Sequence, residues 1–240
     1  MEYKLDLLEQ GCKDFGIELT QQQKEQFVRY YEILVERNQV MNLTAITEFE
    51  EVLVKHFVDS LAVSGVVDVD NVSRVIDIGT GAGFPGIPLK IVYPHLEITL
   101  LDSLRKRIGF LNEIVDNLGL KNVETIHGRA EEYAKQKEYR ETYDLCVSRA
   151  VANLSTLSEY CLPYVKVQGY FVPYKSGKIE EELHDSEKAL RILGGRLENV
   201  HKFQLGDAEM GRSLVIIKKE KSTPKKYPRK AGMPSKEPLK

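Results

Sequence analysis

Apolar residues recur at helical spacing through the first part of the chain. One apolar face follows Thr20, and its members are Phe27, Tyr30, Tyr31, Leu34 and Val35. Thr20 and Gln23 have the spacing of a capping box, in which side chain and backbone at a helix start bond each other. Thr47 and Glu50 repeat that spacing ahead of a second apolar run. We therefore predict that residues 1–68 form a helical region.

From about residue 72 the pattern changes to short apolar runs, rich in β-branched residues, that alternate with helical patterns. The runs predict five strands: Arg74–Ile78, Glu97–Asp102, Val123–His127, Leu145–Ser148 and Gly169–Tyr174. The clearest helix between them is Leu104–Leu118, which Gly119 follows as the residue that ends it. Strands separated by helices form parallel sheets with right-handed crossovers. The predicted fold class is therefore a doubly wound α/β sheet.

Two later runs, Arg196–Gln204 and Ser213–Lys218, are separated by Gly206-Asp207 and Gly211. Such runs around turn residues predict an antiparallel pair that closes the sheet. We accordingly assign residues 69–218 to the α/β domain and residues 219–240 to a C-terminal tail.

Composition excludes several classes of protein. The chain has 240 residues, of which 42% are hydrophobic and 29% charged, as in ordinary folded proteins. No stretch approaches the roughly 18 apolar residues that span a bilayer, and the first residues lack the apolar core of a signal peptide. Cys12, Cys146 and Cys161 show no C-x-x-C spacing, which argues against a disulfide scaffold and a zinc site. We expect a reduced, cytoplasmic protein without a structural metal.

Charge is distributed unevenly. Lys218–Lys240 contains nine Lys or Arg and two Glu, a net charge of +7, whereas the whole chain carries −2. Its four prolines and lack of periodicity predict an extended, partly disordered arm. The arm would either contact nucleic-acid phosphates or serve solubility. Tyr227 is its one aromatic residue, so base-specific recognition by the arm is not expected.

The strongest local motif is a glycine turn, the segment from Gly79 to Gly83 that follows the first predicted strand. Glycines at 79, 81 and 83 leave room where the chain turns and where a ligand touches the backbone. In a doubly wound sheet this turn lies at the carboxyl edge, where ligands bind. Asp102 ends the second strand, 25 residues after Asp77, and its carboxylate can accept bonds from both hydroxyls of an adenosine ribose.

The turn is compatible with two kinds of adenosine ligand, a dinucleotide and a ligand that carries an ammonium group. Gly81 to Gly86 satisfies the G-x-G-x-x-G pattern of a dinucleotide site. However, Phe84 stands where a fingerprint counted from Gly79 needs its third glycine. Asp77, at the strand end and aimed at the site, suits a ligand's ammonium group better than a pyrophosphate.

These residues resemble a known family. Asp77 to Gly83 resembles the S-adenosylmethionine-binding motif of class I methyltransferases, and the run through Leu89 resembles the RsmG family, also called GidB. Its members are methyltransferases of bacterial small-subunit ribosomal RNA. The resemblance covers essentially the whole chain, with further matches at Asn42-Leu43-Thr44, Asp59-Ser60-Leu61, Leu101 to Arg107, Gly128 to Glu131, Ser148-Arg149-Ala150 and Thr223 to Gly232.

The resemblance implies a Rossmann-like fold, S-adenosylmethionine as cofactor, and methyl transfer to N7 of a guanine in 16S rRNA. It places Gly79 and Phe84 at the methionine end, Asp102 at the ribose, and Ala130 with Glu131 around the adenine. Arg149 would lie beside the transferred methyl group and the incoming base. The full predicted cofactor set also includes residues of the glycine turn and the strand before it: Asp77, Gly81 and Gly83.

The residues are consistent with this chemistry. Guanine N7 has a free lone pair and no proton, so its methylation needs orientation rather than a general base. No cysteine follows a proline at the fourth strand, as 5-methylcytosine formation would need, and no Asn/Asp-Pro-Pro-aromatic run stands there for adenine N6. The catalytic residues stay unassigned. Arg149 is a candidate for base positioning, with pairing to a buried carboxylate such as Asp77 as its other role.

Other charged residues allow two interpretations each. His56 and Asp59 lie three apart on one helix face, a spacing more typical of packing against the neighbouring domain than of catalysis. The predicted RNA contacts are basic residues at the site rim and in the tail: Arg105, Lys106, Arg107, Lys225, Lys226, Arg229 and Lys230. The alternative for the three rim residues, Arg105, Lys106 and Arg107, is that they form the solvent-exposed face of a helix and contact no RNA.

Two other functions stay open: a nicotinamide-dependent oxidoreductase using the same turn, and a non-catalytic ribosome-binding protein. The expected partner is 16S rRNA or the small ribosomal subunit, not DNA or a membrane. We expect a monomer, because a large RNA must reach the site.

Overall fold

A computed structural model describes residues 3–205 and 211–239, so the predicted turn at Gly206-Asp207 lies outside the described residues. The N-terminal part is helical, as predicted. Its elements are α1 (Asp6–Lys13), α2 (Gln21–Met41), α3 (Phe49–Val52), a π-helical stretch (Leu53–Val58), α4 (Asp59–Leu61) and two 3₁₀ turns (Ala62–Gly65 and Val69–Asn71).

One of the two predicted helix starts is confirmed. The hydroxyl of Thr20 accepts a bond from the Gln23 amide, and the Gln23 side chain accepts one from the Thr20 amide at 2.8 Å, which completes the capping box of α2. The second prediction is wrong. α3 begins at Phe49 with Glu48 before it and without a side-chain cap. The carbonyl of Thr47 accepts the Tyr31 hydroxyl instead, at 3.1 Å.

Seven strands form one mixed sheet in the order β3-β2-β1-β4-β5-β7-β6. The first five are parallel, and β7 pairs antiparallel with both β5 and β6. This confirms the doubly wound α/β prediction. The strands are β1 (Arg74–Ile78), β2 (Glu97–Asp102), β3 (Val123–His127), β4 (Tyr143–Arg149), β5 (Val165–Ser176), β6 (Gly195–Gln204) and β7 (Gly211–Lys219).

Each face of the sheet buries its own hydrophobic core because successive strand residues point to opposite faces. In β1, Val75 packs with α2, α5 and α6, whereas Ile76 packs with α8 and α9. The remaining helices are α5 (Gly86–Val92), α6 (Arg105–Asn117), α7 (Ala130–Tyr133), α8 (Leu154–Cys161), a 3₁₀ turn (Leu162–Tyr164), α9 (Glu180–Leu193) and α10 (Met233–Lys236). α6 ends as predicted, with Gly119 in a left-handed conformation.

The prediction of a partly disordered arm over residues 219–240 is wrong for its described part. Lys219 still belongs to β7, and residues 220–239, here called the C-terminal strap, pack across the α8 face. Tyr227 is buried there, and Arg229 pairs with the buried carboxylate of Glu159 at 2.7 Å. Composition missed this order because it does not register single anchors such as the buried Tyr227 ring and the pairing of Arg229 with buried Glu159.

Within the described residues, no helix is long and apolar enough to cross a bilayer.

Candidate functional site

The glycine turn connects β1 to α5 at the carboxyl edge of the sheet. The amides of Gly79 and Thr80 donate to the Leu101 carbonyl at 2.8 and 3.2 Å, which ties the turn to the end of β2. Gly79, Gly81 and Gly83 all have positive φ. A Cβ atom at Gly79 would lie 2.5 Å from a methyl group of Val151. The turn therefore needs glycine for backbone conformation and, at Gly79, for space.

Asp77 supports this turn from below. Its carboxylate accepts the Thr80 hydroxyl at 2.7 Å and the Gly86 amide at 2.9 Å, and the side chain is fully buried. Its other oxygen has no hydrogen-bond partner among the described residues. Burial raises the pKa of Asp77 to about 6, although the Thr80 and Gly86 bonds lower it. The structure thus places Asp77 beneath the turn, not on the cavity wall.

Asp102 is held at the end of β2 by three donors. Its Oδ2 accepts the Gly81 amide at 2.9 Å and the Arg107 guanidinium at 3.1 Å, and its Oδ1 accepts the Leu104 amide at 2.9 Å. Asp102 is 2% exposed, whereas Arg107 lines the cavity. Arg107 is therefore paired with the predicted ribose carboxylate.

Ala130 and Glu131 begin α7, next to the end of β3. Gly128, just before them, donates its amide to the Asp102 carbonyl at 3.0 Å. The Ala130 carbonyl accepts the Tyr164 hydroxyl at 2.6 Å, and the Glu131 carboxylate accepts the Gly232 amide at 2.8 Å. Both residues are buried and lie outside the cavity lining.

A cavity of about 570 Å³ lies between the helical region and the carboxyl edge of the sheet. The glycine turn forms part of its lining, together with Leu43, Thr44 and Ile46 from the helical region and residues 149–152, which begin at the last residue of β4. Among the described residues that line it, five are Lys or Arg and one, Asp59, is acidic. Four of the five form what we call the cationic wall: Lys55, Arg149, Lys175 and Arg212. The cavity therefore suits an anionic ligand or substrate.

Phe84 joins the glycine turn to the helical region through aromatic contacts. Its ring stacks on Tyr30 and on His56, with ring centroids 5.3 and 4.6 Å apart. The guanidinium of Arg149 lies 5.0 Å from the Phe84 ring centroid, a cation–π contact. Phe84 is 6% exposed, so its contribution to the cavity is a narrow apolar edge.

Arg149 pairs with Asp59, not with Asp77. The distance from Arg149 Nη1 to the Asp59 carboxylate is 2.7 Å, and the same nitrogen donates to the Lys55 carbonyl at 3.3 Å. Arg212 approaches the other Asp59 oxygen at 3.4 Å without hydrogen-bond geometry. One carboxylate, 1% exposed, thus serves two arginines from different strands.

His56 lies beside this cluster. Its Nε2 is 2.8 Å from the Thr44 hydroxyl, and its Nδ1 is 3.4 Å from Arg149 Nη2. Burial and the positive charge of Arg149 lower the pKa of His56 to about 3, so the imidazole is neutral at physiological pH. Both His56 and Asp59 therefore pack against the α/β domain, as their spacing suggested, and also line the cavity.

The predicted RNA contacts fall into two groups. Arg105 is exposed, as are Lys225, Lys226 and Lys230 on the strap. The others have protein partners: Lys106 donates to the Met41 carbonyl, Arg107 pairs with Asp102, and Arg229 pairs with Glu159.

Among the charged residues of the cavity, sequence reasoning missed three, namely Lys55, Lys175 and Arg212. Arg212 lies in β7, far along the chain from the glycine turn, and only the antiparallel pairing of β7 with β5 brings it to the cavity. Within the described residues, no three His, Cys, Asp or Glu side chains gather as around a metal ion.

Comparison with known proteins gives consistent results. Residues 23–211 match the GidB family model, described as rRNA small subunit methyltransferase G. The chain is 55% identical to ribosomal RNA small subunit methyltransferase G of Lachnoclostridium phytofermentans, covering 96% of this chain and 95% of the relative. It is 52% identical to the protein of the same name from Alkaliphilus oremlandii, with full coverage of both.

Solved structures agree on the fold. TrmN from Thermus thermophilus has a TM-score of 0.52 at 16% identity, covering 68% of this chain and 48% of that one. A precorrin-6y C5,15-methyltransferase from Geobacter metallireducens has a TM-score of 0.51 at 16% identity, covering 75% and 92%. At this identity the likeness shows the class I methyltransferase fold alone.

Proposed function

The chain belongs to the GidB family of small-subunit rRNA methyltransferases, and from that premise we propose that it methylates N7 of a guanine in 16S rRNA, using S-adenosylmethionine. Membership makes the chain a methyltransferase rather than a nicotinamide-dependent oxidoreductase or a non-catalytic ribosome-binding protein. The site of methylation and the residues assigned below are our proposal.

The observation that carries the proposal is a cation-rich cavity whose possible bases are already engaged. Of the groups that line it, His56 has a pKa of about 3 and Asp59 is held by Arg149. An acceptor that had to lose a proton would find no free general base among these residues. Guanine N7 has no proton to lose. The geometry therefore favours an acceptor that reacts through a lone pair.

The residues at the carboxyl edge fit the cofactor. Gly79 lines the cavity where Val151 leaves no room for a Cβ atom, and Asp102 holds a carboxylate beside the turn, behind Arg107. When bound, S-adenosylmethionine supplies an electrophilic methyl group on a sulfonium. Asp102 would exchange its bond with Arg107 for bonds to the ribose hydroxyls. We propose that Ala130 and Glu131 frame the adenine and that Phe84 borders the methionine end.

Arg149 is suited to orient the base. Its Nη1 is engaged by Asp59 and by the Lys55 carbonyl, and its planar group lies over Phe84. Only part of the guanidinium edge is then left to donate to guanine O6. A fully free Arg would bond O6 and N7 together and would block the reacting lone pair. We therefore propose that Asp59 restricts Arg149 to O6 and leaves N7 free.

The charge of the surface supports an RNA partner. Arg105 at the start of α6 and three strap lysines, Lys225, Lys226 and Lys230, are exposed and can neutralise phosphates. We propose that they contact 16S rRNA around the target base. We also propose that a monomer acts in the cytoplasm.

The test is methyl incorporation from labelled S-adenosylmethionine into 16S rRNA and small subunits from a strain that lacks this protein, followed by mapping of the labelled base. We expect label at one guanine, at N7, in one of these RNA forms. Label on a base carbon, an exocyclic amine or a ribose would contradict the proposed acceptor.

A further inference from the structure

The C-terminal strap runs toward the carboxyl edge of the sheet, where the site lies. It starts beside Gly194, whose carbonyl accepts the Glu220 amide at 2.8 Å. It ends at the first turn of α8, where the Ser155 hydroxyl donates to the Leu239 carbonyl at 2.7 Å. Since α8 directly follows the cavity loop at residues 149–152, the end of the strap lies near the site.

Two buried carboxylates fasten the strap. Glu159 on α8 is fully buried, and Arg229 donates to it through its backbone amide, Nε and Nη2, at 2.7–3.1 Å. Glu131 on α7 is 3% exposed and accepts the Gly232 amide at 2.8 Å. A buried carboxylate is costly unless it is hydrogen-bonded, so each contact stabilises both partners.

We propose that the C-terminal strap is a positioning element of the cofactor site, because its Gly232 amide fixes Glu131. The inference rests on the proposed function, which places Ala130 and Glu131 at the adenine. Neither Gly232 nor any other strap residue is assigned to the cofactor itself.

The Glu131 carboxylate is held by the Gly232 amide of the strap, whereas the Ala130 carbonyl before it is held by the Tyr164 hydroxyl. α7 has four residues, too few to be stable through its own backbone bonds. Glu131 is its second residue, and Gly128 before it bonds the carbonyl of Asp102. If the strap left, Glu131 would lose this donor and turn toward water, whereas the Tyr164–Ala130 and Gly128–Asp102 bonds would remain. The adenine side of the site would therefore loosen at Glu131.

Two shortened chains separate this contact from the rest of the strap. A chain that ends at Lys230 keeps Arg229 and the exposed lysines but lacks Gly232. A chain that ends at Ser235 keeps Gly232. The measurements are the dissociation constant for S-adenosylmethionine by calorimetry, the KM for each substrate, kcat, and thermal unfolding.

We expect the chain that ends at Lys230 to bind the cofactor about tenfold more weakly, because it loses one hydrogen bond to a charged group. Its kcat at saturating cofactor and its KM for RNA should be unchanged. The second should match the full chain.

A second variant covers the case in which the shorter chain does not fold. Arg229→Gln combined with Glu159→Gln releases the strap anchor in the full chain without leaving a bare buried charge, and it should also weaken cofactor binding. If the folded chains that end at Lys230 and at Ser235 bind the cofactor with equal affinity, whether or not that affinity is weaker than that of the full chain, the proposal is overturned. If the unaltered chain fails to bind S-adenosylmethionine, the proposed function fails first, and that measurement is separate.

Discussion

The glycine turn and the cationic wall line one cavity, yet they draw on the chain in different ways. The turn comes from consecutive residues, and its carboxylate, Asp77, is bonded to Thr80 and Gly86 within the same segment. The cationic wall combines residues of the helical region, β4, β5 and β7, and Asp59 of the helical region lies between Arg149 of β4 and Arg212 of β7. Damage to the turn should therefore affect cofactor binding locally, whereas damage to the wall should also loosen the docking of the helical region.

The two regions also respond to pH in opposite directions. Burial raises the pKa of Asp77 to about 6 from 3.8, so the folded state holds a proton that the unfolded state has released between these values. The contribution of Asp77 to stability therefore falls as pH rises through this window. Burial and Arg149 lower the pKa of His56 from 6.5 to about 3, so here the unfolded state binds the extra proton. The contribution of His56 falls as pH decreases.

The largest effect is expected from breaking the turn. Gly79→Asp would place a side chain 2.5 Å from a Val151 methyl group, at a φ of +70° that favours glycine, and would add a negative charge. We expect S-adenosylmethionine binding to be lost, by more than about 100-fold, in a calorimetric titration, while the fold persists. The matched control is Gly109→Asp, on an exposed position of α6 with open space around it. Undiminished cofactor affinity in the Gly79 variant would remove the turn from the site.

The second effect tests the cationic wall. Asp59→Ala leaves Arg149 and Arg212 together without their carboxylate. Because removal of one partner from a buried pair costs about 3–5 kcal/mol, we expect the free energy of unfolding to decrease by about 3 kcal/mol, the low end, since Arg212 is 26% exposed.

Urea unfolding at pH 7 measures this decrease, with Asp116→Ala on the exposed side of α6 as control. A change in the Asp59 variant no larger than in the control would show that the wall does not hold the two regions together.

The turn was predictable and the wall was not, for physical reasons. The bounds of β1, β2 and β3 matched the sequence pattern. β1 and β2 are buried parallel strands, which are nearly continuous apolar runs, whereas the edge strand β3 is marked by its β-branched residues. The glycine spacing and Asp102 then follow from local geometry. Arg149 was found, but the buried carboxylate suggested as its alternative partner was Asp77, because Asp59 reaches it only through the docking of another region. Arg212 carries no local signal at all.

The strap shows the same limit. Its prolines and lysines are typical of disordered segments, and Glu159 and Glu131 bind it only after the chain has folded. The Thr47 prediction failed for a related reason. The spacing matched a capping box, but α3 begins at Phe49 with Glu48 before it, and the Thr47 carbonyl accepts the Tyr31 hydroxyl. Spacing identifies contacts within a segment, whereas contacts between segments depend on the tertiary structure.

The opposite pH responses can be separated with His56→Gln, which keeps a polar atom for Thr44 but does not titrate. As pH falls from 6.5, the stability of the unaltered protein should decrease relative to this variant by at most about 1.4 kcal/mol per pH unit. Urea unfolding at several values between pH 7 and 5 measures the difference. His184→Gln, at an exposed histidine of α9, should track the unaltered protein. A constant difference across this range would contradict the buried, neutral state of His56.

The smallest expected effect is on RNA binding by the strap lysines. It must be measured separately from the attachment of the strap to the rest of the protein. Deleting the strap would also uncover Glu131 and Glu159, so neutralising its exposed lysines is the cleaner change. The triple variant replaces Lys225, Lys226 and Lys230 with Gln and leaves Arg229 in place. We expect rRNA binding to weaken about tenfold near 50 mM salt and less at 200 mM, because fewer counterions are released. A matched variant with exposed lysines elsewhere changed to Gln, at positions Lys13, Lys121 and Lys188, controls for net charge. Equal loss at both salt concentrations, or equal loss in the control, would show that the strap anchors the fold without contacting RNA phosphates.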